Sequence, residues 1–575
     1  MNSYLLVISI GPVQKFISAA RRTRDLWFGS NALSEISKAA AKAIAEGGGQ
    51  LIFPAPSAAA DLVENSPLNV ANVVLAELKA ADPKAVVEMA REAARNRWLG
   101  YACEALEKAR NAIREDIWDD QVNDVMELNA AWVISTGDYK LDRAKLMRIL
   151  AGRKHCFDFK PAKGRSGVPK SSLDGLRESV VKIDAVGIPL AAGEQLDVVG
   201  VVKRIAGGNQ SYPSVARIAA DPWLRGLSEE DRGMLINGYK NLPASAKTTI
   251  DVRKYPQFAN FPFEGTVCFP SRYADMKNEG VTDESLEPMR KTIASLKFGE
   301  SDPYLAVLVA DGDRVGAALS AIDSADGHRK FSTQLTTFSS QAAKTIPEFN
   351  GVAIYCGGDD VLALIPVDRA IECAAELAKQ FKETMARFKA SEGSPPTLSV
   401  GLAIGHYMEP LEDLLNYGRS AEQHAKNPTT ADSGQPSRNA LAIHLHKRGG
   451  GPVHFRGNWD GLPHKLLLNL AASLNAGAIS HRIASELEHL SRTYDGWPAE
   501  TVNAAIVKDA LRILAAKKPR AGVGGKEMEI LKNIVRDNVR NAADLRRMAC
   551  AILIARQIAN GLRQAAGEKD ERGAR

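Results

Sequence analysis

Four aspartates in two short stretches have the types and spacing to do chemistry. Asp359 and Asp360 interrupt GVAIYCGGDDVLALIPVD (351–368) between two apolar runs, and Asp311 and Asp313 close the apolar run of YLAVLVADGDRVG (304–316). Crowded carboxylates raise one another's pKa, and partial burial adds a desolvation cost. Divalent cations remove that difficulty. Hard oxygen ligands suit Mg2+ or Mn2+, which keep waters and take substrate phosphates. Two such ions, about 3.5–4 Å apart, stabilise the attacking and leaving oxygens of a phosphoryl or nucleotidyl transfer. A GGDD alone would serve equally well as a polar hairpin tip. DGD after one strand and GGDD in the next hairpin, in that order, is the specific signal.

The elements around these acids must bring them together. YLAVLVA (304–310) reads as a strand, and HRKFSTQLTTFSSQAAKTI (328–346) has helical spacing. GVAIYC and VLALIP read as a hairpin turned by Gly357 and Gly358, with the carboxylates directly after the turn. A helix over 368–388 follows, with Asp368 as its N-cap, then a strand over 397–405, a helix over 410–426 and a strand over 439–446. The order βαββαβ, plus a helix and a strand, predicts a ferredoxin-like α+β sheet with helices on one face. Its central strand would end at Asp311, beside the hairpin tip. YLLVISIGPVQ, from Tyr4, resembles the 304–316 stretch but has Gly11 and Val13 where Asp311 and Asp313 stand. A second, acid-free copy of the fold is therefore expected at the N-terminus. From 463 onward the pattern is helical throughout, which predicts a C-terminal bundle.

Composition narrows the class. The 575 residues carry a net charge of +6, which permits a nucleic-acid partner without arguing for one. Six scattered cysteines without a CxxC pair read as reduced thiols. No apolar run reaches the roughly 18 residues of a membrane span, and the first residues do not read as a signal peptide. A cytoplasmic protein without membrane contact is expected.

Taken with IGPVQKFISAARRTRDLWFGSNALSEIS (10–37), FPAPS (53–57), YPSVARIA (212–219) and SVGLAIGHYMEPLEDLL (399–415), the two aspartate stretches resemble the large subunit of type III-B CRISPR RNA-targeting (Cmr) complexes. The resemblance runs from residue 1 to about 560. It implies two ferredoxin-like palm domains of the nucleotidyl cyclase and polymerase type, a small α/β domain between them and a C-terminal helical bundle. The corresponding segments are 1–155, 156–270, 271–450 and 451–575. It implies that target RNA switches on conversion of ATP into cyclic oligoadenylate, with two Mg2+ or Mn2+ ions. Asp311, Asp359 and Asp360 would be the catalytic metal ligands, with Asp313 assisting and the Gly312 carbonyl as a further ligand. Gly357 and Gly358 would admit substrate to the hairpin backbone, Ser399 would contact a base and Lys426 a phosphate. Implied partners are guide RNA, target RNA and other Cmr subunits, including the small subunit and the subunit that binds the guide 5′ tag.

Two departures from the family bear on activity. None of the ten histidines is followed by Asp, so the nuclease activity of members with a His-Asp doublet is not expected. The stretch 167–181 lacks CxxC pairs, so no structural zinc is expected. Members without the nuclease include some that look able to join ATP to S-adenosylmethionine, and the same metal ligands would serve that product. A scaffold that only binds RNA and a stand-alone diguanylate-cyclase-like enzyme are the other readings. The acids argue against the scaffold. GGDD in place of GGDEF, and a second palm in one chain, argue against the cyclase.

Arg21, Arg22 and Arg24 in AARRTRDLWFG (19–29) could hold ATP phosphates or guide-RNA backbone, or form the solvated face of a helix. HLHKRGGG (444–451) reads as a strand end and linker, and His406 as a structural histidine near the site. GRKHCFDF (152–159) has too few ligands for a metal.

Overall fold

The computed structural model describes residues 2–568 apart from 157–163, 183–186, 192, 208–211, 244–246, 279–280, 297–298, 391, 430–431, 433–434, 480–481 and 517–524. Two sheets organise it. β1 (Asn2–Gly11), β2 (Gly49–Phe53), β3 (Val73–Ala80) and β4 (Glu127–Ile134) form an antiparallel sheet in the order β2-β3-β1-β4. The second sheet holds β5 (Tyr304–Asp313), β6 (Val352–Gly357), β7 (Asp360–Pro366), β8 (Thr397–His406), β9 (Ala440–Leu445) and β10 (Val453–Asn458), in the order β10-β9-β8-β5-β7-β6. Its first four strands stand in the order β6-β7-β5-β8, which repeats the N-terminal sheet strand for strand. The shared Tyr-Leu opening at residues 4 and 304 is thus a shared position, because both stretches are the central strand of an α+β palm.

Where helices were expected on one face of the second sheet, both faces are covered. Alternate β5 residues Ala306, Leu308 and Ala310 pack with Phe331, Phe338, Leu377 and Phe381 of the Ala325–Glu348 and Ala370–Met385 helices. Leu305 and Val307 face the other way, toward Leu411, Leu414 and Leu415 of the Leu411–Lys426 helix. A strand buried on both faces reads as an unbroken apolar run, as YLAVLVA does. The sheet also extends past residue 450. β10 pairs antiparallel with β9 across Gly449–Gly451, so this stretch is a turn within the sheet and not the linker its glycines suggest. Asp368 does not cap the Ala370–Met385 helix, whose N-cap is Arg369. Its buried carboxylate instead receives two hydrogen bonds from Arg225 at 2.9 and 2.7 Å.

The two sheets are tied through the Ala325–Glu348 helix. Arg329 donates to the Leu51 carbonyl at 2.9 Å and pairs with Glu77 at 2.5 Å. His328 Nδ1 meets the Tyr139 hydroxyl at 2.6 Å. Burial, with Arg143 and Arg329 nearby, pushes the His328 pKa down to about 3, so the ring is neutral. A small α/β unit was expected between the sheets, but the segment is mainly helical. Val198–Ala206, Val215–Ala219, Asp221–Gly226 and Glu229–Lys240 are helices, and the β pairing of residues 156–270 is confined, among the described residues, to single bridges. Buried Arg204 joins this segment to the first palm through Asp25 at 2.8 Å while holding Glu194 at 3.0 Å. C-terminal helices run over Pro463–Asn475, Ile483–Thr493, Ala499–Ala516, Gly525–Asn538 and Ala542–Ala566. No helix among the described residues is long and apolar enough to cross a membrane.

Candidate metal centre

β5 and β7 are antiparallel neighbours, with Ala310 opposite Val361. One step further along β5 and one step back along β7 sets Asp311 beside Asp360. Gly357 pairs with Asp360, so the two-residue turn is Gly358-Asp359, one position later than the Gly-Gly turn expected. Gly358 has φ 64°, the positive value that a two-residue hairpin with Gly first requires. Asp359 therefore projects from the turn itself and Asp360 from the first residue of the returning strand. Carboxylate oxygens of Asp311, Asp359 and Asp360 all lie within 4.8 Å of one another, and no other such acid, cysteine and histidine group occurs among the described residues.

The hairpin is held from outside. β6 is the edge strand, and carbonyls in it and just before it accept hydrogen bonds from side chains of other segments. Gln257 donates to Gly351 O at 3.0 Å, Tyr212 to Ala353 O at 2.7 Å and Asn69 to Cys356 O at 3.0 Å. Gly312 provides the clearance inside. A Cβ there would lie 2.7 Å from both Cβ and Oδ2 of Asp359 and 2.6 Å from Val315. Glycine at 312 thus lets Asp359 fold down over β5. A Cβ on Gly357 would strike the Tyr355 ring and hydroxyl.

Two charged side chains of the Leu411–Lys426 helix complete the centre. Lys426 Nζ is in direct contact with Asp311 Oδ2 and lies 3.0 Å from Glu422 Oε1. The ammonium stands where a cation would sit on Asp311. Burial raises the pKa values of both Asp359 and Asp360; the charge of Asp313 adds to the first, and Asp359 and Glu422 add to the second. Burial and Asp313 raise Glu422 to about 7, and burial with nearby Arg438 lowers Lys426 to about 8. Lys426 alone therefore does not neutralise the acids.

Asp313 stands apart from the three, with its side chain buried. It accepts hydrogen bonds from Thr397 Oγ1 at 3.0 Å, Ser399 Oγ at 2.9 Å and the Asn439 amide at 2.9 Å. Oxygens so engaged hold the fold and are not presented to an ion. Ser399 is fully buried and committed to Asp313, so its hydroxyl does not face a base. Arg24 donates to the Arg204 carbonyl at 2.7 Å and lies 3.8 Å from Asp25, while Arg21 is exposed. Arg24 thus serves the joint between the first palm and the helical segment. His406 pairs with Tyr304, at the opposite end of β5 from Asp311 and Asp313, which over seven residues at about 3.3–3.4 Å each is roughly 23 Å from the site. Only Cys103 and Cys156 of the six cysteines are exposed.

The sequence reading missed Glu422 and Arg438. Glu422 was legible as the i−4 neighbour of Lys426 on one helical face. Arg438 lies in a turn-rich stretch and carries no signal of its own.

A family model described as Cas10/Cmr2, second palm domain, matches residues 304–441, and one described as CRISPR-associated protein Cmr2, N-terminal, matches residues 5–117. A curated relative, the CRISPR system Cmr subunit Cmr2 of Pyrococcus furiosus, is 26% identical over 302 residues, covering 46% of this chain and 33% of that protein. The matched part thus spans about a third of that relative's length. Two solved structures share the fold at 14% identity, each covering 93% of this chain. Type III-B Cmr-beta bound to cognate target RNA has a TM-score of 0.63 and is covered over 82% of its chain; the apo state of Cmr-beta has 0.59 and 81%.

Proposed function

The chain belongs to the Cas10/Cmr2 family, and from that premise we propose that it is the large subunit of a type III-B RNA-guided effector complex, joining ATP molecules into cyclic oligoadenylate when target RNA binds. The observation that carries this reading is the convergence of Asp311, Asp359 and Asp360 within 4.8 Å. Three hard carboxylates, two of them with pKa values raised by burial and by neighbouring carboxylates, fit Mg2+ or Mn2+. When bound, the ions would neutralise charge on the phosphates and the attacking oxygen.

The chain's own residues would do the rest. Asp311, Asp359 and Asp360 would hold the cations from two hydrogen-bonded strands and the turn between β6 and β7. Lys426 leaves Asp311 and turns its ammonium to substrate phosphate. The 3′-oxygen of one ATP bonds to the α-phosphorus of a second, the bond to the β-phosphate bridging oxygen breaks, and pyrophosphate and a proton are released. A cavity of about 210 Å3 beside Asp359, walled by Val7, Leu75, Val315 and Phe331, lies between the two palms and suits an apolar nucleobase face. Guide RNA, target RNA and further Cmr subunits are the proposed partners, in line with the RNA-bound complex that shares the fold. A scaffold role would leave the acid cluster without purpose.

The test is to reconstitute the complex with guide and target RNA, supply labelled ATP with and without S-adenosylmethionine, and resolve the products. Cyclic oligoadenylate formed by wild type and lost in Asp359→Ala/Asp360→Ala, with assembly intact, is the expected result. A product requiring S-adenosylmethionine would replace the ring-forming reaction with conjugation. Equal product from wild type and the double variant would overturn the reading.

A further inference from the structure

Asp313 spends its buried carboxylate on the turn between the Leu411–Lys426 helix and β9. Its Oδ2 accepts the Asn439 amide at 2.9 Å, and the amide of Arg438 donates to the Lys426 carbonyl at 3.0 Å. Both turn residues have left-handed backbone, with φ 63° at Arg438 and 48° at Asn439. Asparagine tolerates that region; arginine is strained there, and glycine would not be. The Arg438 guanidinium stands 3.9 Å from Asp313, beyond hydrogen-bond distance, and its side chain is 46% exposed. Among the described residues it donates no hydrogen bond. The amide–carbonyl bond sets Arg438 next to Lys426, whose ammonium touches Asp311. Two basic side chains thus stand on one rim of the acid cluster. With divalent ions taking up the charge of Asp311, Asp359 and Asp360, both would be left to a polyanion bound across that rim.

We propose that Arg438 is a phosphate-binding residue of the nucleotide site, fixed by Asp313 and Asn439 so that its guanidinium and the Lys426 ammonium together grip the triphosphate of the substrate. This rests on the nucleotidyltransferase reading and names a residue within that site. A planar fork presenting several N–H groups matches phosphate oxygens two at a time, which a lysine does not. Asp313 is then a positioning residue that acts through Arg438.

The experiment measures binding to the purified full chain by calorimetry, using ATP with Mg2+, tripolyphosphate with Mg2+, adenosine, and a single-stranded RNA. Arg438→Gly and Arg438→Ala should weaken ATP and tripolyphosphate about tenfold or more and leave adenosine unchanged, while Arg438→Lys retains part of the affinity. Because glycine relieves the positive φ, Arg438→Gly should melt no lower than wild type, which separates lost grip from lost fold. Unchanged tripolyphosphate affinity in both variants would overturn the inference alone. So would loss of RNA binding with ATP affinity intact, which would assign the guanidinium to RNA. A folded wild type that binds no ATP with Mg2+ would overturn the nucleotidyltransferase reading together with it.

Discussion

Asp359 and Asp360 hold protons more tightly than free aspartate, through desolvation at the hairpin and crowding by other carboxylates, with Asp360 the more exposed of the two, and Glu422 is pushed the same way, to about 7. A carboxyl whose folded pKa exceeds its unfolded value stabilises the fold while protonated. That contribution is complete below the unfolded value near 4 and is lost as pH rises through the folded value. Without divalent ions, the chain should therefore lose thermal stability between about pH 4 and 7, and Mg2+ should restore it at pH 8. Asp359→Asn/Asp360→Asn should flatten that profile and raise the metal-free melting temperature at pH 8 by about 1–3 °C. Scanning calorimetry from pH 5 to 8, with and without Mg2+, checks this; a double variant with the wild-type profile would contradict it. Metal affinity should rise over the same interval, since protons and cations compete for the same oxygens.

Individual elements decide where those residues go. Asp359 reaches Asp311 because position 312 has no side chain, with Asp359 Oδ2 2.7 Å from the point a Cβ would occupy. Gly312→Ala should lower nucleotidyl transfer about 100-fold or more while the chain stays folded, since a misplacement near 1 Å is enough for such a loss. Activity alongside a circular-dichroism melt would check it, and near-wild-type turnover would contradict the close approach. At this scale the sequence was informative about strands, helix positions and the three clustered aspartates. Gly-Gly drew attention as the turn, yet backbone pairing placed the turn at Gly358-Asp359. Asp313 looked equivalent to Asp311 because both lie on one strand two residues apart. Its fate was set by Thr397, Ser399 and Asn439, contacts from distant segments that no local pattern announces. The second helical layer on the sheet was likewise hidden, because an apolar strand looks alike whether one or two layers cover it.

For the whole molecule, the two palms share a strand order but differ at the decisive end. The first closes its central strand at Gly11, where the second has Asp311. It contributes support in place of ligands: Asn69 braces the hairpin strand, and Leu51 and Glu77 receive Arg329 across the joint. Arg329→Ala removes that tie without touching the aspartates. It should lower transfer severalfold through loosened palm packing and leave Mn2+ affinity within about twofold of wild type. Parallel activity and Mn2+ titration measurements separate the two effects. A matching loss in Mn2+ affinity would contradict the division of labour between support and ligands.

The most direct measurement of the central claim is Mn2+ anomalous diffraction from crystals of the chain soaked with a non-hydrolysable ATP analogue. Anomalous density is expected among oxygens of Asp311, Asp359 and Asp360 at about 2.0–2.3 Å, with the Lys426 ammonium withdrawn from Asp311. Fully soaked crystals in which Lys426 still contacts Asp311 and no Mn2+ lies among the three carboxylates would contradict it.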